Sequence, residues 1–311
     1  MKLIEALSCY TCLEADQIRD IINKAPVQYK MYYIKKKNGG NRQIFHPSKT
    51  TKMLQYALID LYLSKIVVHK SAIAYKSKSP EQNVNPIKLN AIKHAPFKYS
   101  IHLDFKDFFP SITPVDFWEK AQSIDQLMSL TVEEKNYFNN IAFISFRGNT
   151  FLSIGSPSSP IISNIFMLQF DELMESFTHE SDINGVYTRY ADDIWISSDN
   201  IAASKKCLEY VSDVLKKKYP TQRLNEKKTC FCSRKGKRII TGLSVTPEGN
   251  VVIPNIKKRY FRSLIHNYTL QKSDDKTVKY IKGYISFIKD VEPSFLNSLL
   301  IKYGEKMHGL L

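Results

Sequence analysis

Two short runs, Val186 to Tyr190 and Ile194 to Ser198, flank Ala191-Asp192-Asp193, and no other feature of this chain constrains its fold as strongly. Runs rich in β-branched and aromatic residues around so short a turn predict a hairpin. Its tip then carries two carboxylates, which repel one another in a bare protein. Something positive is expected there. Upstream, Tyr99-Ser100-Ile101-His102-Leu103-Asp104 reads as a strand that ends on a third carboxylate. If that strand neighbours the hairpin in one antiparallel sheet, Asp104, Asp192 and Asp193 form a set of hard oxygen ligands. Such a set suits Mg²⁺, which takes one or two carboxylates and completes its shell with water and phosphate. A YADD tetrapeptide alone could equally be a solvated turn; its context decides.

The other elements are consistent with an α+β chain. A helical region around Glu14 to Lys24 precedes a strand from Tyr29 to Lys36, a turn at Asn38-Gly39-Gly40 and a returning strand from Arg42 to Phe45. Met53, Leu54, Ala57, Leu58 and Leu61 recur at helical spacing within Thr50 to Ile66. Lys76 to Lys98, rich in Pro, Asn and Lys, reads as a loop. A helix is expected from Pro114, one long helix from Ser158 to about Phe177, and another from Ala202 to Lys217. Short strands follow at Thr229 to Phe231, Arg238 to Val245 and Val251 to Ile253, before a helical C-terminal segment.

Charge points to a partner. With 45 Lys+Arg against 30 Asp+Glu the chain carries +15, and a polyanion is its natural counterpart. The stretch from Asn255 to Leu311 keeps a surplus of +6, from 11 Lys+Arg and 5 Asp+Glu, interleaved with Tyr260, Phe261, Tyr268, Tyr280, Tyr284 and Phe287. Cations for phosphates and rings for bases suit a nucleic-acid surface, although amphipathic helices with core aromatics would look similar. Lys257, Lys258, Arg259 and Arg262 form the densest cluster, with positions 258 and 262 on one helical side and Phe261 and Ile265 free to face the core. Five cysteines, an odd number, argue for a reducing compartment rather than a disulfide framework. A zinc site from Cys9, Cys12, Cys230 and Cys232 is not favoured, because the second pair has the wrong spacing. With no cleavage signal and no run approaching about 18 apolar residues, a cytoplasmic protein without a membrane segment is expected.

Taken in order, Leu103-Asp104-Phe105-Lys106-Asp107-Phe108-Phe109, Ser153-Ile154-Gly155-Ser156-Pro157-Ser158-Ser159-Pro160 and Tyr190-Ala191-Asp192-Asp193 resemble successive blocks of the reverse transcriptases. The hairpin with Arg42-Gln43-Ile44 and the later Leu224-Asn225-Glu226-Lys227-Lys228-Thr229 resemble the flanking blocks. Asn90-Ala91-Ile92-Lys93-His94 and Ile240-Thr241-Gly242 resemble two elements of the bacterial retron group, the second with Ile where that group usually has Val.

The resemblance implies a right-hand polymerase: fingers from residues 1–98, a palm of antiparallel sheet plus helices from 99–254, and a helical thumb from 255–311. It implies an RNA-directed DNA polymerase with two Mg²⁺ ions, bridged by Asp104 and Asp192, assisted by Asp193 and by the Phe105 carbonyl. Phe109 would lie under the sugar of the incoming dNTP and exclude a 2′-OH. Arg42 and Lys36 would meet the triphosphate, with Gly155 in the nucleotide site. Ile154 departs from the commoner Gln, so a side-chain amide is missing there. Asn90, His94 and the cations of the last segment would contact a cognate structured noncoding RNA, copied into branched multicopy single-stranded DNA (msDNA) in an antiphage defence system with an associated effector protein. Two other readings stay open: another bacterial reverse transcriptase, intron-related or diversity-generating, and an RNA-binding scaffold that restrains an effector.

Overall fold

The structure, a computed structural model, describes residues 2–36, 39–75, 84–180 and 182–310. Asn38 of the expected turn, and the first part of the expected loop after Lys76, lie outside the described residues.

A five-stranded antiparallel sheet forms the centre. Its order runs Gly185–Tyr190, Asp193–Ser198, Tyr99–Lys106, with Arg223–Leu224 and Cys230–Ser233 sharing the far edge of Tyr99–Lys106. Alternation sorts the side chains, because neighbours along a strand point to opposite faces. Ile101, Leu103 and Phe105, with Ile194 and Ile196 on the adjacent strand, face one core. Ser100, His102 and Asp104 take the other face, opposite Ser197, Trp195 and Asp193. The core beneath the first face is closed by the helices Ser159–Phe166, Leu168–Thr178 and Ile201–Lys218. The long helix expected from Ser158 is therefore two, broken at Met167, where φ −89° and ψ 3° leave the helical region.

The segment expected to be a loop holds a helix, Pro86–His94. Local capping explains it: the Asn85 side chain accepts from the Ile87 N–H, and Pro86 occupies the first turn, where its missing N–H costs nothing. Tertiary contacts complete it at the other end, where the buried Arg238 guanidinium donates to the carbonyls of His94, Ala95 and Phe97. Those carbonyls lack helical partners, so a cation there satisfies them.

The N-terminal hairpin pairs Tyr29–Lys35 with Asn41–Pro47. Behind it lies the helix Lys49–Leu61, capped by the Ser48 side chain. The expected helix from Pro114 is present as Pro114–Lys120, with a reciprocal cap between Thr113 and Asp116. Three α-helices, Asn255–Thr269, Asp275–Val291 and Pro293–Tyr303, follow, and then a 3₁₀ helix, Gly304–Leu310. They share a second core with the strands Arg238–Ile240 and Leu243–Val245 and with Ala91, Ala95 and Trp195. Trp195 thus leaves the first core while its neighbours Ile194 and Ile196 remain in it. Among the described residues, no helix is long and apolar enough to cross a membrane.

Candidate active site

The three carboxylates converge as the sequence implies. Tyr190 pairs with Asp193, which leaves Ala191-Asp192 as a two-residue turn with Ala191 at φ 59°. Register then places Asp193 opposite Asp104, and the Phe105 N–H donates to the Asp192 carbonyl at 3.1 Å, tying the tip to the central strand. Burial, then the charges of Asp193 and Asp104, push the Asp192 pKa up to about 6. Such a group is short of positive charge.

Part of that charge comes from a residue that the sequence did not single out. Lys228 donates to both oxygens of Asp104, at 2.7 and 2.9 Å. Burial works against its charge, yet Asp104, Asp192 and Asp193 together hold its pKa above the ordinary lysine value. Asp193 is held in turn by His102, whose Nε2 lies 2.9 Å from Oδ1 and whose ring stacks on Trp195 at 4.6 Å. With Asp104 on Lys228 and Asp193 on His102, no three His, Cys, Asp or Glu side chains among the described residues stand gathered around one point as a cation cage. The donor chemistry nevertheless fits a hard divalent cation: three carboxylates share the end of one sheet, and one of them is destabilised by its like-charged neighbours. The Phe105 ring is buried against Phe108, so only its main chain is available for the role expected of it.

A cleft of about 300 Å³ lies between the helix Lys49–Leu61 and the segment from Ser153 to Pro160, lined by Lys52, Tyr75, Phe109, Ile154 and Gly155 among others. Phe109 and Gly155 are brought together as expected. Gly155 also has a packing reason for its identity: at φ 123° a Cβ would stand 2.6 Å from the Phe45 carbonyl oxygen. The Phe45 N–H donates to the Ile154 carbonyl at 2.9 Å, which seats the hairpin on this block. Arg42 and Lys36 are exposed on the hairpin and do not line the cleft, although the Arg42 charge reaches Tyr75. A second cleft, of about 500 Å³, opens beside Asp193 among His102, Tyr190, Trp195, Lys237 and Thr241.

Two expected RNA contacts need correction. Asn90 and His94 are fully buried, with His94 2.8 Å from the Ser197 hydroxyl and 2.7 Å from that of Thr188, which donates to Asn90. They fasten the helix Pro86–His94 to the sheet. Burial pushes the His94 pKa down to about 3, the mark of a neutral interior imidazole. The C-terminal cluster divides as well. Lys258 pairs with Glu292, and both Lys258 and Arg262 lie over the Phe295 ring. Lys257 donates to the Gly242 carbonyl, while Arg259 is exposed.

Comparison with known proteins accounts for this geometry. The family described as "Reverse transcriptase (RNA-dependent DNA polymerase)" matches residues 34–281. The chain is 34% identical over 294 residues to the retron Ec73 reverse transcriptase of Escherichia coli, covering 92% of this chain and 90% of that protein. It is 30% identical to the Ec83 retron enzyme of the same organism, covering 91% and 89%. Among solved structures, telomerase from Candida albicans in complex with a fragment of telomeric RNA superposes with a TM-score of 0.52 at 12% identity, over 94% of this chain and 56% of that one. Apo telomerase from Candida tropicalis gives 0.50 at 14%, over 96% and 63%. At such identities these two show the fold, a right-hand polymerase, and nothing finer. The match over most of the chain, with the carboxylates at the end of the central sheet, means that this protein belongs to the reverse transcriptase family as a bacterial retron reverse transcriptase, an RNA-directed DNA polymerase.

Proposed function

We propose that the chain copies a cognate structured noncoding RNA into branched multicopy single-stranded DNA, as part of an antiphage defence system with an associated effector protein. The convergence of Asp104, Asp192 and Asp193, with the Asp192 pKa pushed up to about 6, is the observation that carries the catalytic half of this reading. The retron relatives support the RNA half. In this reading residues 1–98 act as fingers, 99–254 as palm and 255–311 as thumb.

Asp104 and Asp192 would hold two Mg²⁺ ions, with the Phe105 carbonyl beside them. When bound, the ions lower the pKa of the primer hydroxyl and neutralise charge on the triphosphate. Asp193, fixed by His102, keeps negative charge beside the pair. Lys228, donating to both oxygens of Asp104, balances that carboxylate's charge. Phe109 presses on the sugar of the dNTP and rejects a 2′-OH by bulk. Gly155 lets the fingers hairpin close over the nucleotide, and Arg42 and Lys36 supply cations to its phosphates. On the thumb, the exposed Arg259 and Arg262 meet RNA phosphates, with Lys257 alongside, while Lys258 is engaged by Glu292.

Primer extension with Asp104→Asn is the direct test. Synthesis should disappear while RNA affinity remains, because a metal ligand goes with little change in volume; near-normal synthesis refutes the site. Phe109→Val should raise ribonucleotide incorporation. Sequencing the nucleic acid that copurifies with the protein tests the RNA half. A branched RNA–DNA product supports it, and unbranched cDNA alone points to another kind of bacterial reverse transcriptase.

A further inference from the structure

Tyr75 has a conformation that its sequence neighbourhood does not explain. Its φ is 63°, in the left-handed region that bulky side chains rarely adopt, and it is 46% exposed. The residues before it are buried and fixed. Ser71 to Ala74 are at most 4% exposed, and Ala72 adds to the edge of the sheet as a parallel bridge to Arg189. The Arg189 N–H donates to the Ser71 carbonyl and the Ile73 N–H to the Arg189 carbonyl, both at 2.8 Å. Asn164 donates to the Ala74 carbonyl at 2.9 Å while accepting from the Arg189 guanidinium at 3.1 Å. The chain is thus pinned up to Ala74 and turns sharply at the next residue.

That turn aims the tyrosine at the nucleotide cleft. Its ring centroid lies 6.4 Å from that of Phe109 at a tilt of 54°, and both rings line the cleft with Ile154 and Gly155. Burial, then the charge of Asp192, raises the phenol's pKa, against the charges of Arg189 and, more weakly, Arg42. Backbone strain of this kind persists where the surroundings over-determine it, and it concentrates at ligand clamps.

We infer that Tyr75 is a specificity-determining residue of this cleft: its ring, with Phe109, walls off the sugar of an incoming deoxynucleoside triphosphate, and its hydroxyl bonds a sugar or phosphate oxygen of that nucleotide. The inference rests on reading the cleft as the nucleotide site.

Two variants separate ring from hydroxyl in steady-state primer extension by the full chain on a generic RNA template. Tyr75→Phe keeps the ring, so KM for dNTPs should rise about five- to tenfold, the loss expected for one hydrogen bond, with kcat changed less than KM. Tyr75→Gly tolerates the left-handed backbone and removes the ring, so the preference for dNTPs over rNTPs should fall about tenfold or more. The urea midpoint and RNA affinity should hold in Tyr75→Phe. An unchanged KM in Tyr75→Phe overturns the hydroxyl contact, as does a fall in kcat at constant KM. Unchanged discrimination in Tyr75→Gly overturns the wall. Phe109→Val in the same assay tells the two failures apart: if it relaxes discrimination and the Tyr75 variants do not, the cleft stands and Tyr75 is removed from it. If Phe109→Val is also silent, the nucleotide reading of the cleft falls.

Discussion

Replacing Asp192 by Asn is expected to stabilise the metal-free protein even as it destroys activity. In the fold the Asp192 pKa is pushed from 3.8 to about 6 by burial and by Asp193 and Asp104, so protonation favours the folded state. The stabilising contribution of the protonated form is fully present below about pH 3.8 and is lost as pH rises through about 6. That difference corresponds to about 3 kcal/mol at most. Relaxation of the exposed part of the turn reduces it, and a gain of about 1–2 kcal/mol at pH 8 is expected. Urea unfolding followed by circular dichroism, with a chelator present, measures it. Asp192→Asn should unfold at a higher midpoint than the parent at pH 8, and the gain should shrink to well under about 1 kcal/mol at pH 4. Adding Mg²⁺ should stabilise the parent and leave the variant where it was. A variant no more stable than the parent at pH 8, or equally favoured at both pH values, refutes the argument that like charge strains this site.

His94 should give the opposite pH signature. Its pKa is about 3 in the fold and near 6.5 when free, so the unfolded chain takes up a proton first; stability falls below pH 6.5, and His94→Gln should flatten that decline in urea titrations between pH 6.5 and 4.5. Asp171 accepts from the Arg189 guanidinium at 2.8 and 2.6 Å and from the Tyr187 hydroxyl at 2.5 Å, with the ion pair fully buried. Asp171→Asn should therefore cost about 3–5 kcal/mol in chemical denaturation, while Asp171→Leu with Arg189→Met should cost less than that single change. In the helix Asn255–Thr269, alanine at both Lys258 and Arg262 should lower stability by about 1–3 kcal/mol, because these side chains hold Glu292 and cover Phe295. Arg259→Ala, at an exposed position, should weaken RNA binding with the melting temperature unchanged.

The acidic hairpin and its partner strand are legible in the sequence because the information is local: alternation with period 2 marks the strands, and the short turn fixes where Asp192 and Asp193 fall. The helix Pro86–His94 is not legible, because its content of Pro, Asn and Lys reads as loop, while its cap and its Arg238 partner, 144 residues from His94, decide otherwise. The same helix carries Asn90 and His94, whose motif is visible and whose direction is not. A motif names residues without saying which side of the helix faces the sheet, and here that side is the buried one. Lys258 and Arg262 share the expected helical side, but Glu292 and Phe295 from beyond that helix meet them there. Tyr75 gives no sequence signal as a site residue, and Lys228 lies in a block that resembles the family without any sign of its contact with Asp104. Lys228 is one cation in a basic block, and Tyr75 gains its place only through Asn164 and Arg189, far along the chain.

The chain contains two tryptophans, and the sheet has divided them between its two cores. Trp118 packs with Phe117 and Phe138 in the first. Trp195, 4% exposed, belongs to the second, near His94 and with the His102 that holds Asp193 stacked against it. Its emission should therefore follow changes at His102 and the carboxylate it holds, with Trp118 as a steady background, and replacing Trp118 by Phe would leave a single optical probe. Such a probe would let RNA engagement be timed in a stopped-flow instrument from a position close to Asp193 in the chain, with no dye attached.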